Sequence, residues 1–283
     1  MKRAKKWIGA LAAAVVVLVV LVVVLVGLFG NHAVKAGIEK AGRYALKVGV
    51  HLDSAALSLF GGTLTLDSLV IDNPEGYQHP TLLTLEQGFV AVDTGSLLSD
   101  TVEIEKIQLD NITLTLEQKG LTSNLQEVLN NLPVSDAPSE PDQKPGKNLK
   151  IKELHINGVR VNAKLLPLPG RADTVSLRLS PITLRDIGTD EPIDTVQLTG
   201  VVLAAIAGGI VEQGKDMLPT DMLNTLGQSA ARIGQELLQE GLNIGTKLLE
   251  GTGTLGKDIL DSAGDIGKDA GEAIRGIFQR KED

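Results

Sequence analysis

The sequence predicts an α+β protein: a single N-terminal transmembrane helix, a curled antiparallel β-sheet trough, and C-terminal amphipathic helices carrying an 11-residue repeat. Three observations predict it. They are an uncharged run from Trp7 to Phe29, a strand pattern broken by a recurrent two-residue gap, and Ile-Gly or Leu-Gly pairs spaced 11 residues apart near the C-terminus. Composition narrows the function. None of the 283 residues is cysteine, so a disulfide scaffold, a cysteine-zinc site and a thiol nucleophile are excluded. A net charge of −8 supplies no basic face for phosphates, so nucleic acid is not an expected partner. His32, His51, His79 and His155 lie far apart without a metal-ligand spacing. Neither a cofactor nor an enzymatic activity is expected.

The first element is the anchor, within residues 1–30. At about 1.5 Å per residue, Trp7 to Phe29 make a helix of about 34 Å, enough to cross a hydrocarbon core of about 30 Å. The run is too long for the apolar part of a signal peptide. Lys2, Arg3, Lys5 and Lys6 crowd its N-terminal side, which places the N-terminus in the cytoplasm and the bulk of the chain across the membrane. A short helix is expected next, within residues 31–47.

Residues 48–204 read as antiparallel strands, alternating apolar and polar and rich in Thr, Val, Ile and Leu. One pattern recurs: Leu64-x-Leu66-x-x-Leu69-x-Ile71, Val102-x-Ile104-x-x-Ile107-x-Leu109 and Leu149-x-Ile151-x-x-Leu154-x-Ile156, with Val196-x-Leu198-x-x-Val201-x-Leu203 a weaker fourth copy. Strict alternation would flip the second apolar pair outward after a two-residue gap, so the strand must bulge there and bend. Repeated bends predict a curled sheet with an apolar inner side. The Asp110-Asn111 and Asn157-Gly158 pairs read as hairpin turns. Few large rings line this region, so the inner side suits acyl chains or a protein-filled core equally. At about 4.8 Å per strand, some ten strands would give a trough of about 45 to 50 Å. Asp72, Asp93, Asp110 and Asp186 end strands or open turns, and His155 lies on the polar side of its strand between Leu154 and Ile156.

Pro133 to Asn148 reads as a polar linker, with Pro138, Pro141 and Pro145 among charged residues. In the helical region 205–283, Ile233-Gly234, Ile244-Gly245, Leu255-Gly256 and Ile266-Gly267 recur every 11 residues, close to 3.67 residues per turn. Apolar residues then stay on one side, while each glycine costs about 1 kcal/mol relative to alanine. Such a helix needs a surface to lie on, the trough, another copy or the membrane, and the alternative is a mostly disordered tail. Gly251 to Asp258 imitates a phosphate loop, but Leu248-Leu249-Glu250 before it continues the helical repeat, where a phosphate loop needs a strand.

The chain resembles the AsmA-like family of bacterial envelope proteins, relatives of bridge-like lipid transfer proteins, over residues 1–132. The resemblance rests on the anchor, the short helix, the turn Asp72-Asn73-Pro74-Glu75-Gly76-Tyr77, the segment Val90 to Leu98 and the helix start Asn124-Leu125-Gln126-Glu127-Val128-Leu129. It implies a trough that holds phospholipid acyl chains, a single-pass anchor in the bacterial inner membrane and a role in envelope lipid transport or homeostasis. The residues expected to line the trough are Leu64, Leu66, Leu69, Ile71, Ile104, Ile107, Leu109, Leu114, Ile151, Leu154 and Ile156. The alternative is a non-enzymatic structural or assembly protein, its sheet closed by its own helices and its repeat tail joining copies of itself or an envelope partner.

Overall fold

A computed structural model describes residues 30–132, 147–165 and 174–239. The expected anchor, the linker between 133 and 146, and the glycine repeat beyond 239 lie outside these. Helix α1 (30–46) leads into β1 (Val50–Ser58), β2 (Thr63–Asp72) and β3 (Thr81–Val92). A 3-10 turn (Thr94–Leu98) precedes the long strand β4 (Thr101–Lys119), the two-residue β5 (Thr122–Ser123) and helix α2 (Asn124–Asn131). Then come β6 (Asn148–Asn157), β7 (Arg160–Lys164), β8 (Thr174–Arg178) and β9 (Ile182–Ile187), and helices α3 (Thr195–Gln213) and α4 (Thr220–Gln239).

The strands form one nine-stranded open sheet in the order β1-β2-β3-β4-β6-β9. It is mixed, which corrects the antiparallel expectation. β4 runs parallel to β6 along its first half and to β7 along its second, whereas the other pairs are antiparallel. In the β4–β6 pair the second and third copies of the sequence pattern lie side by side in register: Val102 opposite Leu149, Ile104 opposite Ile151, Ile107 opposite Leu154 and Leu109 opposite Ile156. The crossover between them contains α2, as a parallel connection requires. β6 with β7, and β9 with β8, stand end to end against the length of β4 and its neighbours. The sheet is thus six columns wide. Five gaps of about 4.8 Å make about 24 Å, half the width expected from counting strands.

The two-residue gap bends the sheet along shared lines. One line crosses every column but the last: residues 53–54, 67–68, 86–87, 110–111 and 157–158 lie opposite one another between apolar pairs that stay in register. Ser68, Asn111 and Gly158 on it have φ of 54°, 60° and 65°. A second line joins residues 105–106, 152–153 and 185–186, with Asp186 at φ 57°. The bends expected at Asp67-Ser68, Glu105-Lys106 and Lys152-Glu153 all fall on these lines. The hairpins expected at Asp110-Asn111 and Asn157-Gly158 do not form: β4 runs straight through Asn111, and β6 resumes as β7 in the same direction. Asparagine tolerates a left-handed φ equally in a turn and in a bend.

The fourth copy of the pattern is also corrected. Val196, Leu198, Val201 and Leu203 lie in α3, so the domain border expected at 204 falls inside a helix. Asp194 accepts a hydrogen bond from the Gln197 backbone N–H while the Gln197 side chain accepts from the Asp194 backbone N–H, a capping box that starts a helix there. α3 is long and apolar enough, by length and composition only, to cross a membrane, and half of its most apolar window is buried inside the fold. It packs against β9 and α4. At Gly209 a Cβ would sit 3.1 Å from Leu179 Cδ1, so the helix backbone approaches Leu179 and Ile182 closely and an added methyl needs Leu179 to shift by a few tenths of an ångström.

α1 seals the other edge. Its side chains bond the outward backbone groups of β1: Asn31 and Glu39 accept from the Leu57 and Leu52 N–H groups, and Lys35 and Arg43 donate to the Asp53 and Val50 carbonyls. An edge that would otherwise recruit another strand is thereby occupied.

Candidate lipid-binding face

The strand registers assemble apolar rows that run across one face. Leu57, Leu64, Val90, Ile107, Leu154 and Leu184 form one row, and Ala55, Leu66, Gly88, Leu109, Ile156 and Ile182 the next. Beyond the first bend line follow Leu52, Leu69, Leu85 and Ile112, then Val50, Ile71, Leu83, Leu114, Val161 and Leu177. All eleven residues expected to line the trough lie in such rows, with Ile104 and Ile151 in a further row near the start of β4.

They differ in what covers them. Ile71, Ile104, Ile107, Leu114, Ile151, Leu154 and Ile156 are buried in a core cluster shared with α3 and α4 residues such as Ile206, Ile210 and Ile233. Leu69 and Leu109 are half-buried against that cluster. Leu64 and Leu66 are half-buried and not packed on it. The open part of the face is therefore confined to the turn-side ends of β1 and β2, around Leu57, Leu64 and Leu66, because Val50, Leu52, Ile71, Leu83 and Leu85 on the same strands are buried and Val90 packs on the core. Sequence reasoning missed Leu57 and Val90, although Val50-x-Leu52-x-x-Ala55-x-Leu57 and Leu83-x-Leu85-x-x-Gly88-x-Val90 carry the same spacing. Ala55 and Gly88 in the third apolar position disguised those two copies.

A buried polar clasp closes the end of the sheet remote from the β1–β2 turn. Asn124, fully buried, donates to Asn73 Oδ1 at 2.8 Å and to the Thr115 carbonyl at 2.6 Å, while its Oδ1 accepts from the Glu117 N–H at 2.9 Å. The Glu117 carboxylate accepts from the Gln78 N–H, the His79 N–H at 3.0 Å and His79 Nδ1 at 2.8 Å. Burial pushes the Glu117 carboxyl up, but these hydrogen bonds outweigh it and hold it below its usual value. Asn73 donates to the His79 carbonyl at 2.9 Å, which shapes the Asn-Pro-Glu-Gly-Tyr turn. Beside it the Tyr77 hydroxyl is buried near Glu127 and Thr122 without a partner in hydrogen-bond geometry. Burial first, then the Glu127 carboxylate, push it up to about 12. The turn and the Asn124-Leu125 helix start, far apart in sequence, are thus two halves of one contact.

A family model described as the AsmA family matches residues 1–201, from the sequence-predicted anchor through the whole sheet into α3. The chain belongs to the AsmA family. No curated protein matches it. Membership associates the protein with the bacterial envelope, and the match extends the resemblance beyond residue 132 to the β6–β9 half of the sheet.

The opposite face of the AsmA-family sheet is polar. Glu153 accepts from His155 at 3.0 Å and Arg185 at 3.3 Å, which hold its carboxyl low, His155 foremost. Lys152 donates to Glu105 at 2.6 Å, and this carboxylate raises the Lys152 ammonium. His155 is therefore a member of a surface ladder. Asp93 caps the 3-10 turn by accepting from the Gly95 N–H at 2.8 Å. Asp110 accepts from Gln108 and Asn157 across the first bend line.

Proposed function

We propose that this AsmA-family protein binds the acyl chains of phospholipid on the apolar face where it opens at the turn-side ends of β1 and β2, and acts in envelope lipid transport or homeostasis, without enzymatic chemistry. The observation that carries the reading is the continuity of the apolar rows. They pass without a polar interruption from the helix-covered half of the sheet to the half where Leu57, Leu64 and Leu66 stay half-exposed. Each aliphatic side chain newly buried by an acyl chain contributes about 1.5 to 3 kcal/mol at most, so a row of several binds without head-group contacts. In this reading the chain is held by the single-pass inner-membrane anchor, with its bulk in the periplasm.

The test uses the full chain in vesicles containing a phospholipid whose acyl chain carries a photoreactive diazirine. Adducts are expected on Leu57, Leu64 or Leu66, and Leu64→Asp with Leu66→Asp should remove them while the protein stays folded. Adducts confined to residues 7–29 would overturn the reading. The buried Ile107 and Leu154 are unsuitable for this test, since a charge there would break the core.

A second reading has its own support. α3 packs on β9 and shares one buried core with β6, β7 and β9, with α4 packed on α3, as expected of a structural or assembly protein whose sheet is closed by its own helices. Self-association through the C-terminal repeat would then be the function. Native mass spectrometry of the full chain in detergent distinguishes the two: stable oligomers lost on truncation after Gln239, with no acyl adducts on the sheet, favour assembly.

A further inference from the structure

The end of the sheet at the β1–β2 turn exposes large apolar residues that no part of the core uses. Phe60 is 90% exposed and Leu98 97%, with Leu59 beside them at 42%. The two segments that carry them are neighbours: the Val92 N–H donates to the Gly62 carbonyl at 2.7 Å, linking the β1–β2 turn to the start of the connection that leads to Leu98. Single exposed leucines are ordinary on protein surfaces, but a phenylalanine and two leucines gathered on adjoining turns are not.

The same end is where the chain leaves the sequence-predicted span. The apolar run ends at Phe29, and Asn31 Oδ1 already accepts from the Leu57 N–H at 2.9 Å, two residues before Leu59. From there α1 runs along β1 away from the turn, bonded through Lys35, Glu39 and Arg43. The strands therefore point away from the end of the span, and the apolar turns lie next to it.

We propose that Leu59, Phe60 and Leu98 dip into the membrane interface beside the anchor, seating the near end of the apolar face against the bilayer. A phenyl ring and leucines on turn tips suit the boundary between head groups and acyl chains, and four bonds from α1 to β1 fix them at that height. The proposal rests on the predicted span, and acyl binding on the sheet is not needed for it.

The natural absence of cysteine makes the test direct. Full-length Phe60→Cys, Leu98→Cys and Leu121→Cys are labelled with an environment-sensitive dye and reconstituted into phosphatidylethanolamine–phosphatidylglycerol vesicles, with or without lipid bearing a shallow doxyl quencher. Leu121, 69% exposed, is the control because it follows β4 at the far end of the sheet. The dye at 60 and 98 should shift to the blue and lose most of its emission to the doxyl lipid, and the dye at 121 should do neither. Emission at 60 and 98 as insensitive as at 121 overturns the proposal. A blue shift without doxyl quenching does so too, and points to a second copy of the chain. Quenching at 60 and 98 without acyl adducts on Leu64 or Leu66 overturns only the lipid-binding reading.

Discussion

Asn124 concentrates the largest single-residue effect outside the apolar core. Its buried amide meets the buried Glu117 N–H and, part-buried, the Thr115 carbonyl and the Asn73 side chain. Asn124→Ala leaves those groups without partners, and each stranded group costs about 1 to 3 kcal/mol. The urea midpoint should fall accordingly, whereas Ser123→Ala removes only the cap to the Gln126 N–H and costs about 1 kcal/mol. Glu117 adds a pH dependence. Its folded carboxyl lies below its usual 4.5, so its contribution is complete above that pH and is lost as the pH falls through the lower folded value. Glu117→Gln should flatten the acid limb of stability measured by thermal melting. Tyr77 acts at the other extreme: between about pH 10 and 12 the folded protein keeps a proton that the unfolded chain releases, so stability declines as pH rises. Ser68 shows what a bend costs. A non-glycine residue at φ 54° is strained by about 1 to 2 kcal/mol, and glycine there gives back about 0.5 to 1 in chain entropy, so Ser68→Gly should raise stability slightly in the same urea titration.

At the scale of elements, the helices decide which apolar residues are core. Leu154, 0% exposed on the fifth of the six columns, should cost about 2 to 5 kcal/mol when truncated to alanine, and the half-buried Leu64 well under that. Gly209→Val tests the seat of α3: the added methyls meet Leu179 and Ile182, and overpacking of about 1 to 3 kcal/mol should appear as a lowered melting temperature. Strand existence was legible because apolar alternation survives the gaps. Strand direction was not. The spacing of two, three and two residues reads the same forwards and backwards, so it aligns rows with a parallel neighbour as well as an antiparallel one. Direction had to come from the connection, where α2 and the Pro-rich stretch are long enough for a crossover. Val196 to Leu203 fits both periods, and the Asp194–Gln197 box with the following Ala and Gly run tips it to helix.

For the whole molecule, the family was legible because its two motifs are two sides of one clasp, and a clasp constrains both at once. The candidate face was legible as a set of residues, not as a surface. No local pattern says that the fold will cover most of the apolar rows and leave the turn-side ends of β1 and β2 open, since that depends on contacts between distant segments. The parallel pairing of β4 with β6 has a further consequence. Stepping one column across the sheet equals stepping 47 residues along the chain, from Val102 to Leu149, with every row preserved. This one step of the sheet is thus a translation, unlike the antiparallel steps on either side of it. Inserting one more such copy would widen it by about 4.8 Å and extend each row by one side chain, whereas inserting any fraction of a copy would throw the bend lines out of alignment.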